Sequence, residues 1–168
     1  MSQATPPGTE SELTQGYGPP TVRQFSVFLD NRVGKLLDLV QLFEDAPEVA
    51  LRAFSVLDSS DHAVVRLIFD NADAARHLMR RKQFTFSETD LLVVELAVTG
   101  RDPGMTKFTL KHVCMFLLAA ELNIRFAYPV LHTRDGYPMI ALAVDDNTLA
   151  GQILRRKGFR LLGEEDLV

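Results

Sequence analysis

The stretch Asp30-Asn31-Arg32-Val33-Gly34-Lys35-Leu36 holds the residue types and spacing best suited to gripping a small anion. It follows an alternating apolar run, Phe25-Ser26-Val27-Phe28-Leu29, and precedes an apolar-rich run from Leu36 to Phe43. The spacing predicts a strand, a tight turn and a helix from about Lys35 to Glu44, with Leu36, Val40 and Phe43 on one face. A glycine at the last turn position has no Cβ to keep a ligand or another backbone away. The first N–H groups of the new helix then point into the loop, where a carboxylate suits them. A plain turn needing an Asn cap and a φ-tolerant Gly uses the same residues, so both readings stand.

Other chemistry-bearing residues read more simply. Cys114, inside Val113-Cys114-Met115-Phe116-Leu117, is expected to be a buried, inert thiol. His112 is two residues away, too far round a helix for a local Cys–His pair, and His62, His77 and His132 are scattered, so no metal site is expected. Asp145-Asp146 reads as a helix cap and Glu164-Glu165-Asp166 as a solvated tail. The run Arg156-Lys157-Gly158-Phe159-Arg160 resembles an RNA-binding signature, but it closes a helix instead of lying in a third strand with exposed aromatics.

The chain has 168 residues, 46% of them hydrophobic and 24% charged, with a net charge of −4. That is ordinary globular composition, with no basic run to follow a phosphate backbone. Neither nucleic acid nor a membrane is an expected partner. A single cysteine rules out an internal disulfide framework and fits a reducing compartment. With no basic and apolar leader and no bilayer-length apolar run, a soluble cytoplasmic protein is the expectation.

Residues 1–20, with four prolines and three glycines, are expected to be a flexible tail. From Thr21 to residue 88 the pattern reads βαββαβ: strands to Leu29, over Val49–Leu57 and Ala63–Phe69, and a short one at Phe84–Phe86, with a second helix capped by Asp70 or Asn71. Residues 89–168 repeat the order: a strand over Asp90–Ala97, a loop, a helix from Thr106 through Glu121, strands over Ile124–Leu131 and Pro138–Val144, and a helix capped near Asp146. Arg80-Arg81-Lys82-Gln83-Phe84 is echoed by Arg155-Arg156-Lys157-Gly158-Phe159. Each half alone is a ferredoxin-like split βαβ, so the expected fold is α+β: two such units in tandem, antiparallel sheets with helices on one face. Two copies in one chain can cover each other's open faces.

The first half resembles an ACT domain, a small regulatory module that binds amino acids. The resemblance rests on Asp30-Asn31-Arg32-Val33-Gly34-Lys35-Leu36, where relatives commonly carry Asn-Arg-Pro-Gly-x-Leu; Val33 stands where Pro is usual. Asp102-Pro103-Gly104-Met105 looks like the same turn in the second half, with Asp102 a possible ammonium acceptor. The resemblance implies that Asn31 bonds a ligand's polar end, that Gly34 to Leu36 offer backbone N–H groups to its carboxylate, and that Asn123, before Ile124, is a second contact whose first-half match is near Val49. It implies an amino-acid-sensing regulator without cofactor or catalysis, a homodimer acting on an enzyme of amino-acid metabolism. The alternative is a structural or assembly subunit with no ligand. An enzyme is more distant, since Arg32 beside Asn31 imitates an acylphosphatase phosphate loop poorly.

Overall fold

A strand turns successive side chains to opposite faces, and here both faces are apolar. The computed structural model describes residues 18–58, 61–96, 109–131 and 136–168. The first half runs β1 (Val22–Asp30), α1 (Lys35–Glu44), β2 (Leu51–Asp58), β3 (His62–Phe69), α2 (Ala72–Arg81) and β4 (Thr85–Glu95). The second adds α3 (Leu110–Ala119), β5 (Ile124–Val130), β6 (Met139–Val144), α4 (Asn147–Arg156) and β7 (Leu161–Leu162), then a 3-10 turn at Glu164–Asp166. All strand pairs are antiparallel, in the order β4-β1-β3-β2 in the first half and β7-β4-β6-β5 in the second.

β4 belongs to both halves. Its Thr85–Leu91 segment pairs with β1, and Leu92–Glu95 pairs with β6. The far edges meet where Ala53 pairs with Val130 and the Leu131 N–H donates to the Arg52 carbonyl at 2.7 Å. Six strands therefore close on themselves, with β7 added alongside β4. The expected separate strands at Phe84–Phe86 and Asp90–Ala97 are one strand, and the expected boundary between residues 88 and 89 falls inside it. The polar run Ser87-Glu88-Thr89-Asp90 sits inside that strand because Arg23 and Arg76 satisfy its carboxylates, partners too distant along the chain for the local pattern to reveal.

Three apolar clusters result. Phe25, Val27 and Leu29 join Leu39 and Phe43 of α1 and Leu78 and Met79 of α2. Leu92, Val94 and Leu142 join Val113 and Leu117 of α3 and Leu154 of α4. The faces without helices enclose the third, which holds Val22, Ile68, Leu91, Tyr128, Met139 and Leu162. Gln24, 1% exposed, enters this cluster, accepting a 2.7 Å hydrogen bond from the Tyr128 hydroxyl and donating to Ser26 Oγ at 3.0 Å. Burial pushes the Tyr128 hydroxyl's pKa up, which keeps it protonated as that donor.

Several local expectations change. α1 buries Leu39 and Phe43, with Leu36 half-exposed, so its buried stripe is rotated from the expected one. α3 starts at Leu110 behind Thr109, whose hydroxyl lies 3.0 Å from His112 Nδ1; Thr106 lies outside the described residues. Cys114 is exposed, not buried. α3 buries Val113 and Leu117 against the sheet, and the next residue round a helix swings away from that face, so an apolar run in the letters does not mean burial all round. Asn71 and Asp146 cap their helices, accepting from Ala74 N–H and Leu149 N–H. Glu164 is no free tail residue, since its Oε1 accepts the Arg23 N–H at 3.0 Å. Gly151 lets α4 touch the segment before β1, since a Cβ there would sit 2.3 Å from the Pro19 side chain.

Across β1, β4 and α2, Glu88 is held by Arg76 through two 2.7 Å bonds and by Arg23 Nη1 at 2.7 Å, while Arg23 Nε reaches Asp90 at 2.6 Å. Arg76 above all, then Arg23, hold the Glu88 carboxyl down at about 2, against an ordinary 4.5. A depressed carboxylate pKa contributes stability that is complete above the unfolded-state value and is lost as pH falls through the folded one. The thermal midpoint of Glu88→Gln should lie about 2–4 °C below that of the natural protein at pH 7. The gap should close as pH drops from about 4.5 toward 2; a gap independent of pH would remove Glu88 ionisation as its source.

Candidate functional site

Gly34 caps α1 at φ +92° with no side-chain cap, a conformation that costs other residues strain. A Cβ built there would meet nothing within 4 Å, so the requirement is for backbone geometry and not for space. The turn is tied down on three sides: Arg32 N–H donates to the Asp30 carbonyl at 2.7 Å, Lys35 N–H to the Arg32 carbonyl at 3.2 Å, and Asn31 N–H to the Asp61 carbonyl at 3.4 Å. The Leu36 N–H has no acceptor among the described residues.

Beside the turn lies a hollow of about 170 Å³, lined by Asp30, Asn31, Lys35, Leu36, Val56 and Asp58, among others. That is below the ~300–1,000 Å³ typical for drug-sized ligands, and so suits a smaller one. The Asn31 Nδ2 donates to Asp58 Oδ1 at 2.9 Å, so the side-chain oxygen of Asn31 keeps its acceptor capacity. Asp30 and Asp58 bring their carboxylates to the lining of this hollow, and Lys35 and Leu36 bring the first turn of α1. Lys35 Nζ is paired with Asp38 at 3.3 Å across an exposed surface. Hydrogen-bond acceptors and a helix N-terminus lining one hollow suit the two charged ends of a small zwitterion.

Of the residues singled out in the sequence, Asp30, Asn31, Lys35 and Leu36 line this hollow, while Val33 is fully exposed beside it. Asp58 gives no local signal in the sequence, because β2 brings it to Asn31 from 27 residues away. Asp102, Pro103, Gly104 and Met105 lie outside the described residues. Asn123 is exposed at the start of β5 and is not among the hollow's lining residues. Its N–H donates to Asp145 Oδ2 at 3.2 Å, and Arg125 Nε reaches Asp145 Oδ1 at 3.0 Å. The first half repeats this with Ala50 N–H and Arg52 on Asp70, at 2.7 and 3.3 Å. The first-half match of Asn123 is thus Ala50, one residue after the expected Val49. Among the described residues no group of His, Cys, Asp and Glu could hold a metal ion, and no helix is long and apolar enough to cross a membrane.

The family model described as ACT domain pair matches residues 20–168. Among solved structures, protein BT0572 from Bacteroides thetaiotaomicron is similar at TM-score 0.74 and 21% identity, over 89% of this chain and 96% of that one. The ligand-free regulatory subunit of aspartate kinase from Thermus thermophilus is similar at TM-score 0.52 and 8% identity, over 85% and 96%. No curated protein matches by sequence. At these identities the structures show a shared fold.

Replacing Gly34 with Ala forces a Cβ into the left-handed region without a clash, so the cost should be backbone strain alone, about 1–2 kcal/mol. Urea unfolding should show a lower midpoint with an unchanged slope. An unchanged midpoint would mean that the turn relaxes to another conformation at no cost.

Proposed function

We propose, because this chain belongs to the ACT domain pair family, that it is a regulatory protein sensing a free amino acid at the β1–α1 turn. Its ligand-binding regulatory character follows from the family. The amino acid, the partner and the oligomer are the proposal. The carrying observation is the hollow beside the turn, which Asp30, Asn31 and Asp58 line together with Lys35 and Leu36 at the start of α1. Asn31 Oδ1 and a carboxylate take the ammonium, and the Leu36 N–H takes the carboxylate. Asn123 of a neighbouring unit completes the site in a homodimer, because the hollow within one chain lacks it. No step in this reading makes or breaks a covalent bond, and no cofactor is called for.

Regulation then requires that the ligand bind one arrangement of the protein or its complex better than another. The partner is an enzyme of amino-acid metabolism, a reading supported by the likeness to a regulatory subunit of aspartate kinase. Free amino acids reach millimolar levels in cells, so affinities of about −8 to −4 kcal/mol suffice.

A thermal-shift screen against the common amino acids at millimolar concentration, with light scattering in parallel, tests this. A ligand at 100 times its dissociation constant adds about 2.7 kcal/mol. One or a few amino acids should raise the midpoint by several degrees, and Asn31→Ala and Gly34→Val should erase the shift while both variants stay folded. A folded protein that responds to none would sink the reading and leave an assembly role; a protein whose every response is equal in both variants would sink the turn as the site.

A further inference from the structure

We propose that the cleft between α1 and α2 is a second binding site, for an aromatic amino acid in its zwitterionic form. The second half of the chain displays how such a site is filled. α1 buries Leu39 and Phe43 as α3 buries Val113 and Leu117, which makes Leu42 and Phe116 equivalent, each half-buried against its own core. The helix ends Lys82-Gln83-Phe84 and Lys157-Gly158-Phe159 are equivalent too, with Gln83 and Gly158 both at positive φ, 61° and 90°.

In the second half, Phe116 bridges the helices. Its ring stands edge-on to Phe159 at 6.2 Å, and Lys157 Nζ lies 5.0 Å from its centroid. Phe159 is left 4% exposed. In the first half Leu42 takes the place of Phe116, and among the described residues nothing supplies the missing ring. Phe84 is only half-buried, and a cleft of about 660 Å³ opens over Leu42, Leu78 and Phe84. That volume is within the usual range for small-molecule sites.

The rim is divided by charge. Asp45 and Glu48 come from the end of α1 and the turn after it, Arg81 and Lys82 from the end of α2. Among the described residues none of these four makes an ion pair. Ammonium against the first wall and carboxylate against the second orient a zwitterion across the cleft. Its ring then lies on Phe84 beneath Lys82, repeating the contacts that Phe116 makes with Phe159 and Lys157. The cleft shares no lining residue with the hollow at Gly34.

The chain contains no tryptophan, so added L-tryptophan is the sole indole fluorophore in a titration. The full chain should bind it saturably in the micromolar to millimolar range, with L-phenylalanine competing and L-alanine not. Leu42→Phe writes the second half's own ring into the cleft; it should raise the thermal midpoint and weaken binding at least about tenfold. Lys82→Ala should weaken binding about fivefold without changing the fold. Asn31→Ala should leave it unchanged, which separates this site from the one at the turn. No saturable binding, or binding untouched by both Leu42→Phe and Lys82→Ala, would overturn the proposal. Loss of binding in Asn31→Ala with Leu42→Phe unaffected would overturn it as well, moving the aromatic ligand to the turn.

Discussion

The structure depends on each half having a sheet with two apolar faces and helices for only one of them. An exposed sheet face of that size would be an aggregation surface. The two uncovered faces therefore close on each other. Val22, Ile68 and Leu91 from the first half meet Tyr128, Met139 and Leu162 from the second, and β4 threads through both sheets so that neither can leave. The hydrogen bond from Tyr128 to Gln24 follows from this closure. A buried amide and hydroxyl are tolerable only when they satisfy each other.

Local physics made much of this legible in the letters. Asn71 and Asp146 announce their helices because a cap acts within three residues, and the Arg-Arg-Lys runs mark helix C-termini for the same short-range reason. The repeat in element order follows from those signals. What the sequence concealed depends on distant partners. The strands at Phe84–Phe86 and Asp90–Ala97 read as separate until Arg23 and Arg76 are seen to hold Glu88 and Asp90 across the sheet. Cys114 reads as core until the sheet is seen to bury only Val113 and Leu117 of α3.

The candidate site divides in the same way. Gly34 stands out because its positive φ is a local demand of a turn entering a helix. Asn31 stands out beside it, but its partner Asp58 does not, since a carboxylate at a hairpin is unremarkable until β2 brings it to the turn. Asn123 is placed by a hydrogen-bond pattern, Asn123 and Arg125 on Asp145, that recurs as Ala50 and Arg52 on Asp70. That match is invisible to side-chain type, because Ala50 contributes only its backbone.

The two halves keep in common what the closed sheet needs, and they differ where it is indifferent. The α2 and α4 caps and the carboxylates of Asp70 and Asp145 recur, as do the inward-facing apolar residues that fill the shared interior. Leu42 against Phe116 and Ala50 against Asn123 lie outside the shared interior, and at the second pair only the backbone is held. Duplication thus leaves each half with one structural job and different freedoms. The surface at which one copy lacks a ring or an amide that the other supplies is where a ligand can enter without competing with the fold.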